Sequence, residues 1–118
     1  MKLTLTSGNQ NLAANLIKPE GFKEPLPALI FVHGWKSNQQ GNIKRATEVS
    51  KVGFVCLTID LRGHGESAGT IDQFSRADHL EDIKSAYKYL SELKEVDQHK
   101  IGIMVAVVSA LFLVTTLQ

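Results

Sequence analysis

Cysteine is almost absent from this chain. Cys56 is the only one in 118 residues, which excludes an internal disulfide framework and a cysteine-rich zinc site and fits a reducing, cytoplasmic setting. Charge of one sign is lacking too. Thirteen Lys and Arg stand against twelve Asp and Glu, a formal net charge of +1. Without a basic excess no nucleic-acid partner is expected, and without an acidic block no solvating tail. The three prolines all fall between Pro19 and Pro27. No Pro/Gly/Ser-rich linker and no internal repeat divides the chain, which reads as one domain. Met1–Leu5 carries a lysine and no apolar run, so no secretory signal is expected. The four histidines show no His-x3-His spacing, so no metal is expected, and no motif calls for a cofactor.

What is present is an alternation of short apolar runs and helical stretches. Lys2–Thr6 and Leu12–Lys18 predict strands joined by a turn at Ser7-Gly8-Asn9. Ala28–His33 and Phe54–Asp60 are unbroken apolar runs, the pattern of strands buried on both faces. Between them Ile43, Ala46 and Val49 recur at helical spacing, with Gly53 placed to end that helix. Leu61–Ser75, with Gly63, Gly65 and Gly69, predicts a loop. Asp78 and Glu81 have the spacing of a capping box. Leu80, Ile83, Tyr87 and Leu90 then define one helical face, with Glu81, Asp82, Lys84 and Lys88 away from it. Lys100–Met104 begins another strand. Strands and helices in this order imply an α/β layer fold with a mainly parallel sheet and flanking helices. Ligands in such sheets bind outside the C-terminal ends of the strands. Here those ends are His33-Gly34-Trp35, Asp60-Leu61-Arg62 and the residues after Met104.

Two of those ends carry a family pattern. Phe31-Val32-His33-Gly34-Trp35 follows one strand, and Asp60-Leu61-Arg62-Gly63-His64-Gly65-Glu66-Ser67 follows the next, with a helix between. The pair resembles the N-terminal portion of the α/β-hydrolase fold. It is most similar to the branch of prolyl-oligopeptidase-like peptidases, serine aminopeptidases and dienelactone-hydrolase-like esterases. The resemblance runs from Leu12 to Met104, leaving 105–118 as a divergent apolar tail. It implies a serine hydrolase acting on a small ester or peptide through an acyl-enzyme. In this fold one oxyanion donor comes from the loop after the third strand. By resemblance that donor is the Trp35 backbone N–H, with His33 and Gly34 shaping the loop. Asp60, Arg62, Gly63, His64, Gly65 and Ser67 are expected to form a structural loop at the active-site rim. Neither His64 nor Ser67 takes a catalytic role in the family pattern. Cys56, inside an apolar strand, is expected to be a buried small residue rather than a nucleophile.

The nucleophile motif is missing. The resemblance places a Gly-x-Ser-x-Gly elbow after Met104, but the chain reads Val105-Ala106-Val107-Val108-Ser109. Val107 takes the serine's place, and Ser109 lies two residues late without flanking glycines. β-Branched residues also suit a strained turn poorly. No catalytic residue is therefore assigned. The chain is expected to be a truncated, inactive hydrolase whose acid and base would lie downstream. A sheet stopping at its fifth strand would leave an edge open to self-association. Reading GTN and GCN codons one base back yields Gly-, Ser-, Arg- or Cys-rich sequence, so a frameshift after Met104 is one explanation that the coding DNA would test.

Two other functions fit parts of the chain. Gly63-x-Gly65-x-x-x-Gly69 after a strand resembles a nucleotide-binding loop, although Glu66 would repel a pyrophosphate. Ile101–Leu117 is an uncharged stretch at the short limit of a membrane anchor, which needs roughly 17–25 residues, and would make the chain a membrane-anchored or partner-binding, non-enzymatic protein. Gly102, Ser109, Thr115 and Thr116 dilute it, so a membrane is not the expected partner.

Overall fold

The unbroken apolar runs become interior strands because both of their faces are covered. In a computed structural model, residues 1–107 and 110–114 are described, with side chains described through Val105. Strands β1 (Lys2–Ser7), β2 (Gln10–Ile17), β3 (Leu26–Val32), β4 (Val55–Ile59), β5 (Val96–Val107) and β6 (Ala110–Val114) form one sheet in the order β1-β2-β4-β3-β5-β6. Helix α1 (Gln40–Ser50) links β3 to β4, and α2 (Arg76–Ser91) links β4 to β5. The parallel part expected from the sequence is the centre, β4-β3-β5. Antiparallel strands flank it on both sides, β1 and β2 on one and β6 on the other.

Each central strand feeds two layers. Ala28, Ile30 and Val32 of β3, with Val55, Leu57 and Ile59 of β4, meet Ala86 and Leu90 of α2. On the other face, Leu29, Phe31 and Cys56 meet Ala46 of α1. Phe31, Ile30, Leu57 and Ile59 are fully buried. The alternation of the strand thus explains the sequence run: every position has an apolar neighbour on one side or the other.

Three local expectations change. The N-cap of α2 is Ser75, not Asp78. The Ser75 side chain accepts the Asp78 N–H, and Asp78 reaches back to the Ser75 N–H in a reciprocal box. The buried face of α2 is Asp82, Ala86 and Leu90, with Ile83 and Tyr87 half-buried, while Leu80 is 50% exposed. Asp82 turns inward because a buried guanidinium sits beneath it, as described below. The sheet does not stop at β5. A hairpin brings β6 back along it, pairing Val107 with Ala110 and Ile103 with Val114. This covers the β5 edge expected to lie open and moves the sheet edge to β6. Ile101–Val107 and Ala110–Val114 are strands, and among the described residues no helix is long and apolar enough to cross a membrane.

Candidate functional site

Strand order reverses at β3. The chain leaves it through α1 to β4 on one side and later enters β5 on the other. A crevice at the C-terminal end of β3 is where such a sheet receives ligands. His33-Gly34-Trp35 opens the loop there, and Asp60-Leu61-Arg62 opens the neighbouring loop from β4.

Two histidines tie these loops together. His33 Nε2 accepts the Leu61 N–H at 3.0 Å. His64 Nε2 accepts the Lys36 N–H at 3.1 Å. Each ring belongs to one loop and each amide to the other. An amide can only donate, so both Nε2 atoms are unprotonated and both protons sit on Nδ1. From there His33 donates to the Gly34 carbonyl at 2.8 Å and His64 to the Arg62 carbonyl at 3.1 Å. The rings stand 4.8 Å apart. Burial pushes the His33 pKa below its ordinary value, and the His64 and His79 rings add to the shift against the opposing Gly34 hydrogen bond and Asp60 charge. Lys36 takes a left-handed backbone at φ 62°, so the bend of the first loop falls at Lys36.

Asp60 organises the second loop. It is 1% exposed, and its carboxylate accepts the Gln39 N–H at 2.7 Å, Gln39 Nε2 at 3.2 Å and the Glu66 N–H at 3.0 Å. Its carbonyl accepts the Ser67 hydroxyl, whose oxygen in turn accepts the Ala13 N–H at 2.9 Å. Gly65 lies against the same carboxylate: a Cβ there would fall 2.3 Å from Oδ2. Gly63 donates its N–H to Ala68 at 2.9 Å and closes the turn.

Arg62 anchors the loop to the helix and the first hairpin. Its Nε and backbone N–H donate to the two oxygens of Asp82, each at 2.8 Å, and Nη2 donates to Ser7 Oγ at 3.0 Å. Both members of this ion pair are buried. The Phe74 ring covers the guanidinium at 5.5 Å. His79 donates from Nε2 to the Arg62 carbonyl at 3.0 Å. Trp35, 64% exposed, lies with its ring edge-on to His64 and His79. Among the described residues the Trp35 N–H meets no acceptor.

The structure therefore brings His33, Gly34, Trp35, Asp60, Arg62, Gly63, His64, Gly65 and Ser67 into one assembly at the strand ends. Beside it, Val32 pairs with Val105, so β5 passes the loop just where the sequence loses the elbow. β5 continues straight to Val107, and Ser109 lies outside the described residues. Among the described residues no hydroxyl lies within hydrogen-bond distance of a histidine nitrogen. Both nitrogens of His33 and His64 are taken by backbone groups, and Ser67 is taken by Asp60 and Ala13.

Four participants were not singled out in the sequence. Gln39 is 2% exposed, and its side-chain oxygen also accepts Thr58 Oγ1 at 2.6 Å and Asn15 Nδ2 at 3.1 Å. A glutamine in a polar loop carries no local signal of burial. Asp82 reads as surface in a helical pattern, because an acid is buried only where it is paired and its partner Arg62 lies 20 residues away. Ser7 and His79 carried no signal, because their partners are remote in sequence.

Comparison with known proteins agrees with this geometry. Residues 8–104 match the family model described as X-Pro dipeptidyl-peptidase (S15 family). Two curated Escherichia coli proteins, both described as uncharacterized 31.7 kDa proteins in the traX-finO intergenic region, are 30% identical over 105 residues. That match covers 87% of this chain and 36% of each relative, so the chain spans about a third of their length. Among solved structures, Est1E from Butyrivibrio proteoclasticus with ferulic acid bound superposes with a TM-score of 0.79 at 22% identity, covering 87% of this chain and 41% of that one. The α/β-hydrolase GrgF from Penicillium sp. sh18 gives 0.79 at 21% identity, covering 89% and 36%. The fold is that of the N-terminal portion of an α/β-hydrolase.

Proposed function

The chain belongs to the X-Pro dipeptidyl-peptidase (S15) family, and from that premise we propose that it carries the oxyanion side of a serine ester or peptide hydrolase site without a nucleophile of its own. The observation that carries the reading is the pairing of Val32 with Val105. It sets the Trp35 loop beside a strand that runs on as Val105-Ala106-Val107 instead of turning. An oxyanion hole needs N–H donors fixed before the reaction begins. The Trp35 N–H has the position and the freedom for that role, and His33, His64 and Asp60 hold its loop in place from beneath. In this reading Asp60, Arg62, Gly63, His64, Gly65 and Ser67 are structural, and the substrate is a small ester or peptide.

Inactivity is the second half of the proposal. A valine at the nucleophile's place cannot attack a carbonyl. The histidines of the crevice hold backbone groups and have no free nitrogen aimed at a hydroxyl. A buried, unpaired Cys56 is compatible with the reducing cytoplasm as its setting. The nucleotide-binding alternative is weakened by Asp60, whose carboxylate occupies the space in front of Gly65 that a phosphate would need. Hydrolysis of a simple aryl acetate tests the proposal. The expected rate equals that of buffer, and saturable turnover by the pure chain would overturn it.

A further inference from the structure

Next to the Trp35 loop lies a groove that the oxyanion reading leaves unused. It is an open groove of about 510 Å³ lined by Trp35, Phe74 and Arg76. The Trp35 ring is set edge-on against His64 at 5.7 Å and His79 at 6.2 Å. The Phe74 ring lies over the Arg62 guanidinium and abuts Gly69, where an added Cβ would fall 2.4 Å from Phe74 Cε2. Arg62 has its charge answered by Asp82 and Asp78. Arg76, exposed at the start of α2, has no carboxylate within ion-pair distance among the described residues.

We propose that this groove binds a planar aromatic group bearing a carboxylate, the ring against the Trp35 and Phe74 side chains that line it and the carboxylate on Arg76. Two aromatic side chains lining one groove favour a flat ring over an aliphatic chain. A guanidinium with unused donors favours a planar anion that it can meet through two parallel hydrogen bonds. That such an acid corresponds to the product released from an aromatic ester rests on the oxyanion reading; the binding itself does not.

Trp35 is the only tryptophan in the chain, so its fluorescence reports the groove directly. Titration of the full chain with benzoate should give a saturable change. Benzamide, the uncharged isostere, should bind at least about tenfold more weakly, the loss expected for a charge-assisted hydrogen bond. Arg76→Gln should weaken benzoate by the same factor and leave benzamide unchanged. Arg45→Gln, which removes an exposed charge on α1, should leave both unchanged. No saturable change with benzoate, equal binding of benzamide, or an Arg45→Gln effect as large as that of Arg76→Gln would each overturn the proposal. None of these readouts involves turnover, so an active or inactive chain in the ester assay leaves the result separate.

Discussion

His33 and His64 each accept a backbone N–H from the loop that carries the other, Leu61 to His33 and Lys36 to His64. The exchange requires both rings to be neutral, because a protonated Nε2 has no lone pair to offer. Burial already holds the His33 pKa below its ordinary value of 6.5. The unfolded chain therefore takes up the proton first as pH falls. The stability contributed is full above that value and is lost as pH drops through the lower, folded one. Urea unfolding between about pH 7.5 and about pH 5.5 should show a falling midpoint. His33→Gln keeps an acceptor without a titrating group and should flatten that fall. An unchanged slope in the variant would assign the effect elsewhere.

Gly65 is held to glycine by the carboxylate it faces. In Gly65→Ala the new methyl meets Asp60 Oδ2 at a backbone φ of +50°. The carboxylate cannot step aside without releasing Gln39 and Glu66. The expected loss is about 2 kcal/mol or more by urea unfolding. Gly41→Ala in α1 has the opposite sign. Its methyl would meet only the tip of Arg45 at 3.4 Å, and the helix should gain about 0.5 kcal/mol. Equal effects at the two positions would contradict the packing described.

The Arg62–Asp82 pair should behave as a buried ion pair. Asp82→Ala strands a guanidinium that is 6% exposed, at an expected cost of about 3–5 kcal/mol. Replacing both partners, Arg62→Met with Asp82→Leu, should recover only part of that loss, because the Arg62 backbone N–H still loses its Asp82 acceptor. If the single variant unfolds at the wild-type urea midpoint, the pair does not anchor the loop.

Cys56 should be chemically silent in the native state. It is fully buried beneath α1, and burial pushes its thiol pKa up to about 12. A thiol-reactive chromogenic disulfide should release no colour until urea unfolds the chain, and then one equivalent. Rapid reaction under native conditions would show that the α1 face opens.

Much of this was legible in the sequence. The unbroken runs at Ala28–His33 and Phe54–Asp60 announced two-sided burial, and the motifs at their ends located the crevice. Three features were not legible, each for a physical reason. The Asp82 side chain reads as surface because a helical pattern weighs hydrophobicity, while its partner Arg62 lies 20 residues away. Gln39 reads as loop because its burial depends on Thr58 and Asp60 from β4 and its end and Asn15 from β2 converging on it. The hairpin of β5 and β6 was hidden because an apolar run of that length suits a strand, a helix or a membrane segment equally well. The family pattern predicts a turn into a helix there, and the valines favour a strand.

The most direct measurement of the central claim is intact mass after exposure of the full chain to a fluorophosphonate, which marks an activated serine wherever it lies. The account predicts an unmodified mass, because the crevice supplies a fixed loop and, among the described residues, no hydroxyl paired with a histidine. A single stoichiometric adduct, lost in Ser109→Ala or in Ser67→Ala, would contradict it.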